Sequence, residues 1–496
     1  MLKKTLFTTI GSQPQFSTLV AMERSLLLLV LAAAASAQEI CLTGDSDPYL
    51  YFGDKTAYIF ANRGLSNFKS HDVPGCSPMA FWLLYRSGSH NPEAGEIKGL
   101  QELVDFRNNI ITNYKTHISD IDERICPADR TLLEQWTWNP VHNETLAGHL
   151  TTDGYMSTQQ LAQTWRRKYP GLVSLNSYNY LFKFPTDQYS RESFRAFTDG
   201  LFGADAESFT IPKDNDEKLS NPYKSCAAWT KDVEDNNETL TQKHIFEMKL
   251  DYRQMITQIS RRLGFKYDIH RDTVNRMYQM CRYNKAWDVA KISPWCAVFT
   301  KEDLKRLEYA EDLETYYKYG YGQPLHKKIG CLPVKDMLNF FTSHIAKELP
   351  QLPLSMVTIT SAPMLLATLA TLNTHMDPAP PTGDNFNFQN NGAQARKWTT
   401  STMAPFNGNI AAVLYKCNPN GNFQINDQYQ VLFLENEKPM YIEGCRVGLC
   451  DWNVIKNKFT DLVTNCDLDF CNGAPKLTFG VGLAVIQFLI LSISSW

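Results

Sequence analysis

Apolar residues fall into a few sharply bounded runs whose spacing predicts alternating strands and helices. Met79 to Tyr85 is seven apolar residues in a row between Pro78 and a polar, glycine-containing turn, the pattern of a strand buried on both faces of a parallel sheet. Ser355 to Thr360 is a second strand, rich in β-branched residues, and Met364 to Leu372 a helix behind it. Helical spacing also marks 95–117, through Leu100, Leu103, Val104, Phe106, Ile110 and Ile111, and 157–169, through Leu161, Trp165 and Tyr169. Between 180 and 203 a strand runs into a helix. From 244 to 264, Ile245, Met248, Tyr252, Met255, Ile256, Ile259 and Leu263 predict one helix ended by Gly264. Thr300 and Asp303 have capping-box spacing for a helix through Leu304, Leu307 and Leu313. The stretch 38–78 has few periodic runs and reads as a lead-in segment.

The two ends carry patterns of their own. Met22-Glu23-Arg24 precedes an apolar run from Ser25 to Ala35, and Ala35-Ser36-Ala37 is a small-residue cleavage pattern. The segment 1–37 therefore reads as a secretory signal with an extension, Met22 being an alternative start. Leu477 to Trp496 is twenty uncharged residues with no Lys or Arg after it, and Asn472-Gly473-Ala474 stand just before. The segment 472–496 reads as a GPI-attachment signal, with a transmembrane tail as the alternative. Either places the protein in the secretory pathway or at the cell surface, held to a membrane at its C-terminus.

Composition narrows the field. A chain of 496 residues, 43% of them hydrophobic, buries a large core, and a net charge of −3 leaves no basic footprint for nucleic acid. All twelve cysteines follow residue 37, and an even number in a secreted chain argues for disulfides. The spacings 281/296, 445/450 and 466/471 are the local candidates. No histidine pair accompanies them, so no metal site and no cofactor are expected. Asn143-Glu-Thr and Asn237-Glu-Thr are glycosylation acceptors.

The loop after the first strand, Arg86-Ser87-Gly88-Ser89-His90-Asn91-Pro92, occupies the end of the sheet where α/β proteins bind ligands. It resembles the histidine acid phosphatase signature Arg-His-Gly-x-Arg-x-Pro. Leu150-Thr-Thr-Asp-Gly154 and the run Ser193 to Gly203 resemble further family segments. Ser293 to Leu304 and Tyr319 to Gly322 resemble the multiple inositol polyphosphate phosphatase branch, and Arg396 to Gly408 with Val413 to Cys417 resemble its closing strands. The resemblance covers roughly 75–450. It implies an α/β fold with a mostly parallel sheet flanked by helices, built from 38–204 and 334–471, with an α-helical cap inserted at 205–333.

The resemblance also assigns roles, and this chain departs from most of them. The nucleophilic histidine falls on Ser87, a second phosphate-binding arginine on His90, and a further one on Tyr189. Arg191 is two residues off, which on a helix turns a side chain by roughly 200°. The phosphate-binding histidine and the acid of a His-Ala-Glu motif fall on Ser361 and Pro363, residues suited to an N-cap and a first helical turn. Only Arg86 is retained. His375-Met376-Asp377 lies beyond the helix that a His-Asp motif would precede, and reads as a loop pair.

Two readings follow. The favoured one is a catalytically silent ectodomain that acts by binding or as a surface interaction protein, with a weakened pocket for phosphate or inositol polyphosphate. The other is an active phosphoric-monoester hydrolase on inositol polyphosphates (phytate) or bisphosphoglycerate-type phosphomonoesters. A serine route, with Ser87 as nucleophile and His90 as base, is the remaining chemical alternative; it demands close geometry between the two.

Overall fold

The computed structural model describes residues 38–41, 51–62, 72–117, 123–203, 206, 210–347, 352–387, 395–418, 427–446 and 448–472. The expected signal segment and C-terminal anchor signal lie outside these residues. Among the described residues no helix is long and apolar enough to cross a membrane.

The described residues hold ten strands: β1 Gln38–Ile40, β2 Cys76–Arg86, β3 Glu123–Ile125, β4 Tyr180–Phe184, β5 Lys213–Asn215, β6 Ser355–Thr360, β7 Asn409–Cys417, β8 Tyr429–Glu435, β9 Lys438–Pro439 and β10 Leu449–Asp451. β1 pairs only with β3. The other eight form one sheet ordered β10-β8-β7-β2-β6-β4-β5, with β9 on β8. β2 sits at its centre, as its apolar run requires. Ala80, Trp82 and Leu84 pack into one hydrophobic cluster, and Phe81, Leu83 and Tyr85 into another on the opposite face.

The sheet is mixed rather than mostly parallel. β2, β6, β4 and β5 run parallel, while β7 pairs antiparallel with both β2 and β8, and β8 with β10. The parallel half needs helical crossovers, which the sequence between its strands supplies. β7 and β8 are joined by a short connection, which suits only antiparallel neighbours.

On one face lie α3 (Thr152–Lys168) and α4 (Gln188–Phe202); on the other lie α9 (His326–Ala346), α10 (Ala362–Thr371) and α11 (Trp452–Thr464), numbering in chain order only the helices named in the text. α9 runs unbroken across the expected cap boundary at 333, with Pro333 buried inside it. A separate hydrophobic cluster joins Met255, Ile259, Met277, Trp295, Leu304 and Leu313 of the expected cap to Leu100, Ile110, Tyr114 and Leu133 of the segment before it, so the expected cap does not hold a core of its own. Its helices include α7 (Arg271–Trp287) and α8 (Lys301–Tyr319). α8 opens with the expected capping box: Thr300 Oγ1 accepts from the Asp303 backbone N–H, and Asp303 Oδ2 from that of Thr300.

Two expected helices are each divided. The first becomes α1 (Ala94–Gln101) and α2 (Leu103–His117). The second becomes α5 (Thr241–Met248) and α6 (Leu250–Arg262), split by extended backbone at Lys249. The apparent stripe through Ile245 and Met248 does not continue inward: Phe246 is buried, whereas Met248 is 66% exposed.

Six disulfides use all twelve cysteines: 41–126, 76–417, 226–471, 281–296, 331–466 and 445–450. Two of the three local candidates form. Cys466 and Cys471 instead pair at long range, because α11 packs on α9 and brings Cys466 to Cys331, while the turn after it brings Cys471 to Cys226. Such a set is consistent with the secretory pathway. Asn237 is exposed; Asn143 is half-buried and caps the turn 144–146, accepting from the Thr145 backbone N–H. Both sequons remain glycosylation expectations.

Candidate active site

Register brings the two motif loops together. β2 and β6 are parallel neighbours with Arg86 opposite Thr360, so Ser87 and Ser361 leave the sheet side by side, and the Ser87 N–H donates to the Thr360 carbonyl at 3.2 Å. The glycine of the first loop is fixed by packing. A Cβ on Gly88 would meet the Gly154 carbonyl oxygen at 2.6 Å, and one on Gly154 would strike the Ser89 backbone. The resembling segments 86–92 and 150–154 are thus one contact, secured by the Thr151 N–H donating to the Ser89 carbonyl at 2.9 Å.

Arg86, which the resemblance assigns to phosphate binding, is 5% exposed. Its Nη1 donates to the backbone carbonyls of Asp54 and, at 2.7 Å, Ala404. Its Nη2 lies 3.6 Å from Asp54 Oδ2. One ring lies over it, and two more follow that ring in series. Phe406 lies 4.3 Å from the guanidinium carbon, His90 meets Phe406 edge-on at 5.3 Å, and Tyr189 stacks on His90 at 4.6 Å. Burial pushes the Asp54 carboxyl up, but Lys55, Arg86 and Arg282 outweigh it and hold the group well below the usual carboxylate range.

The substituted positions are filled rather than vacated. His90 Nδ1 lies 2.9 Å from the Gly88 carbonyl, which assigns its proton to Nδ1. Burial, with Arg86 adding, pulls this imidazole down to about 4. No hydrogen bond joins it to Ser87, itself 1% exposed. Tyr189 takes a hydrogen bond from Lys224 Nζ at 3.2 Å. Arg191 faces solvent and bonds Gln188. Ser361 occupies the N-cap of α10 without capping it, since its Oγ lies 2.8 Å from the Tyr223 hydroxyl; Pro363 is in the first turn, as expected. His375 bonds Glu435 at 2.7 Å as a loop residue.

Beside these loops lies a cavity of about 440 Å³ bordered by Ala362 and Pro363. Sequence reasoning missed most of its charged lining. Five carboxylates, Asp54, Glu96, Glu247, Glu311 and Glu314, face three cations, Lys55, Lys243 and Arg282. Each cation is matched. Lys55 lies 2.9 Å from Asp54, Lys243 2.6 Å from Glu314, and Arg282 pairs with Glu311. No histidine is in the lining among the described residues. The one signal in the sequence was the Asp54-Lys55 pair after Gly53, in a segment with no periodicity to place it.

A family model described as "Histidine phosphatase superfamily (branch 2)" matches residues 92–439. The chain belongs to that superfamily. The match begins at Pro92, the last residue of the altered loop. The chain is 31% identical to "Multiple inositol polyphosphate phosphatase 1" of Drosophila melanogaster, over 92% of this chain and 96% of the relative. It is 25% identical to the Homo sapiens protein of the same name, over 84% and 87%. Among solved structures, the superfamily fold is shared with the D. castellii phytase (16% identity, 86% and 88% coverage, TM-score 0.65). It is shared also with a Bifidobacterium longum multiple inositol polyphosphate phosphatase complexed with inositol hexasulfate (12%, 82% and 96%, TM-score 0.57).

Proposed function

We propose that this chain is a secreted or cell-surface member of the superfamily that does not run the phosphohistidine reaction and acts through binding. The reading rests on Arg86. A guanidinium that stabilises a transferring phosphoryl group must present its N–H groups to the phosphate oxygens, and here Nη1 is bonded to the Asp54 and Ala404 carbonyls, Nη2 faces the Asp54 carboxylate, and the Phe406 ring lies over the group. The nucleophile position carries Ser87 and the acid position Pro363. Neither supplies the phosphorus–nitrogen bond or the proton for the leaving alkoxide.

The cavity argues in the same direction. With five carboxylates to three cations, its lining opposes a polyanion, so any inositol polyphosphate binding is weak, with Kd above roughly 1 mM. The six disulfides support secretion, and a C-terminal lipid anchor remains part of the proposal on the sequence of 472–496.

The alternative, hydrolysis of inositol polyphosphates, is favoured by the names of the relatives. Phosphate release from inositol hexakisphosphate by the purified secreted protein, beside an Arg86→Ala control, separates the two. No release above the control is expected. Turnover that the substitution abolishes would overturn the silent reading.

A further inference from the structure

The cap helix α8 borders two cavities. Leu307, Ala310, Glu311 and Glu314 face the one beside the motif loops, whereas Lys305, Glu308 and Tyr309 face another of about 390 Å³, and the two share no lining residue. The second cavity contains none of the motif-loop residues Arg86, Ser87, His90, Ser361 and Pro363 in its lining.

Its floor carries an expensive feature. Glu308 is 3% exposed, and its Oε1 has no hydrogen-bond partner among the described residues. An unsatisfied buried polar atom costs about 1–3 kcal/mol, and such atoms in native proteins call for an explanation. Burial, with Asp312 adding, raises this carboxyl to about 8, against Arg396, the Ser401 side chain and the Gly53 backbone, which favour its ionised form. The neighbouring charges are already matched: Arg396 pairs with Asp312 and lies 4.9 Å over the Tyr309 ring, and Asp377 accepts from the Lys397 N–H at 2.7 Å and the Trp398 N–H at 3.1 Å.

Lys305 is the exception. It is half-buried beside the cavity, 5.6 Å over the Tyr51 ring, with no carboxylate partner among the described residues. Tyr51, Phe386 and Pro381 supply apolar wall. The lining thus offers one uncommitted cation, one carboxyl needing a partner, and rings for a flat apolar face. A hydroxyl is the group that satisfies Glu308 in either protonation state, because it both donates and accepts. Glu308 itself borders the cavity.

We propose that this cavity binds a hydroxylated monocarboxylate the size of an acidic monosaccharide, its carboxylate on Lys305 and a ring hydroxyl on Glu308. The site stands whether or not the phosphatase reaction does. The volume suits one such ring with its water, at the low end of the range for small-molecule pockets.

The test is calorimetric titration of the full secreted protein with glucuronate, with methyl glucoside as the neutral probe. Saturable glucuronate binding is expected, weakened at least tenfold in Lys305→Glu and in Glu308→Met, with methyl glucoside binding more weakly than glucuronate and indifferent to Lys305→Glu. Lys305 is only half-buried and has no carboxylate partner among the described residues, so that variant keeps the fold even if the buried one does not; circular dichroism checks both. Absence of saturable binding, binding unchanged by Lys305→Glu, or equal binding of the neutral probe would each overturn the assignment.

Discussion

Arg86 and Asp54 form a closed pair at the end of the central strand: Nη2 lies 3.6 Å from Asp54 Oδ2, and Nη1 also donates to the Asp54 backbone carbonyl. The side chain that superfamily chemistry would turn toward phosphate is here a structural tie between the lead-in segment and the sheet. Arg86→Ala is therefore expected to destabilise the protein by about 3 kcal/mol, the loss typical of breaking a buried pair from one side. Phosphate release should stay at background in both proteins. Denaturant unfolding and a phosphate assay measure the two effects.

Restoring the signature should not restore the reaction. Ser87 is 1% exposed beneath Asn407, whose N–H donates to its carbonyl, so Ser87→His overpacks the loop at a cost of about 1–3 kcal/mol. Even combined with Ser361→His and Pro363→Glu it leaves Arg86 held by Asp54 and Ala404 under the Phe406 ring. No phosphohistidine is expected by mass spectrometry after exposure to inositol hexakisphosphate.

Acid should weaken the fold through His90. Its folded-state pKa, pulled to about 4 by burial and Arg86, lies below the ordinary 6.5. Below pH 6.5 the unfolded chain binds the proton first, so stability falls as pH drops from 6.5 toward 4, by up to roughly 3 kcal/mol at 1.36 kcal/mol per unit. His90→Phe, which keeps the stack on Tyr189, should remove most of that slope in melting temperatures recorded across the range.

Glu308 has the opposite sign. Raised to about 8 from an ordinary 4.5, it is protonated in the folded state while the unfolded chain is ionised, so its contribution declines as pH rises from 4.5 to 8. Glu308→Gln, neutral throughout, should flatten that decline. An unchanged difference in melting temperature between pH 5 and pH 8 would count against the raised value.

Peptide mapping without reduction should recover 331–466 and 226–471 and no 466–471 peptide. Removing the 226–471 bridge, which spans 245 residues, is expected to cost about 2–5 kcal/mol. It should act chiefly on the C-terminal turn.

Local pattern was enough for much of this protein. The unbroken apolar run of Met79 to Tyr85 could only be a strand buried on both faces, and β2 is one. Thr300 and Asp303 made a capping box because both halves of that motif lie within four residues. The altered motif loops were legible for the same reason, as contiguous residues whose changed chemistry shows in their identity alone.

What the chain order could not contain was decided by the tertiary fold. Asp54 meets Arg86, Cys466 meets Cys331, and Tyr223 meets Ser361 across separations of 32, 135 and 138 residues. The antiparallel half of the sheet, the matched charges of the cavity and the unpaired oxygen of Glu308 arise from the same source. Sequence sets which groups a chain owns and how each segment prefers to run; packing alone decides which of those groups come within reach of one another, and so whether a retained arginine faces a ligand or a neighbouring carboxylate.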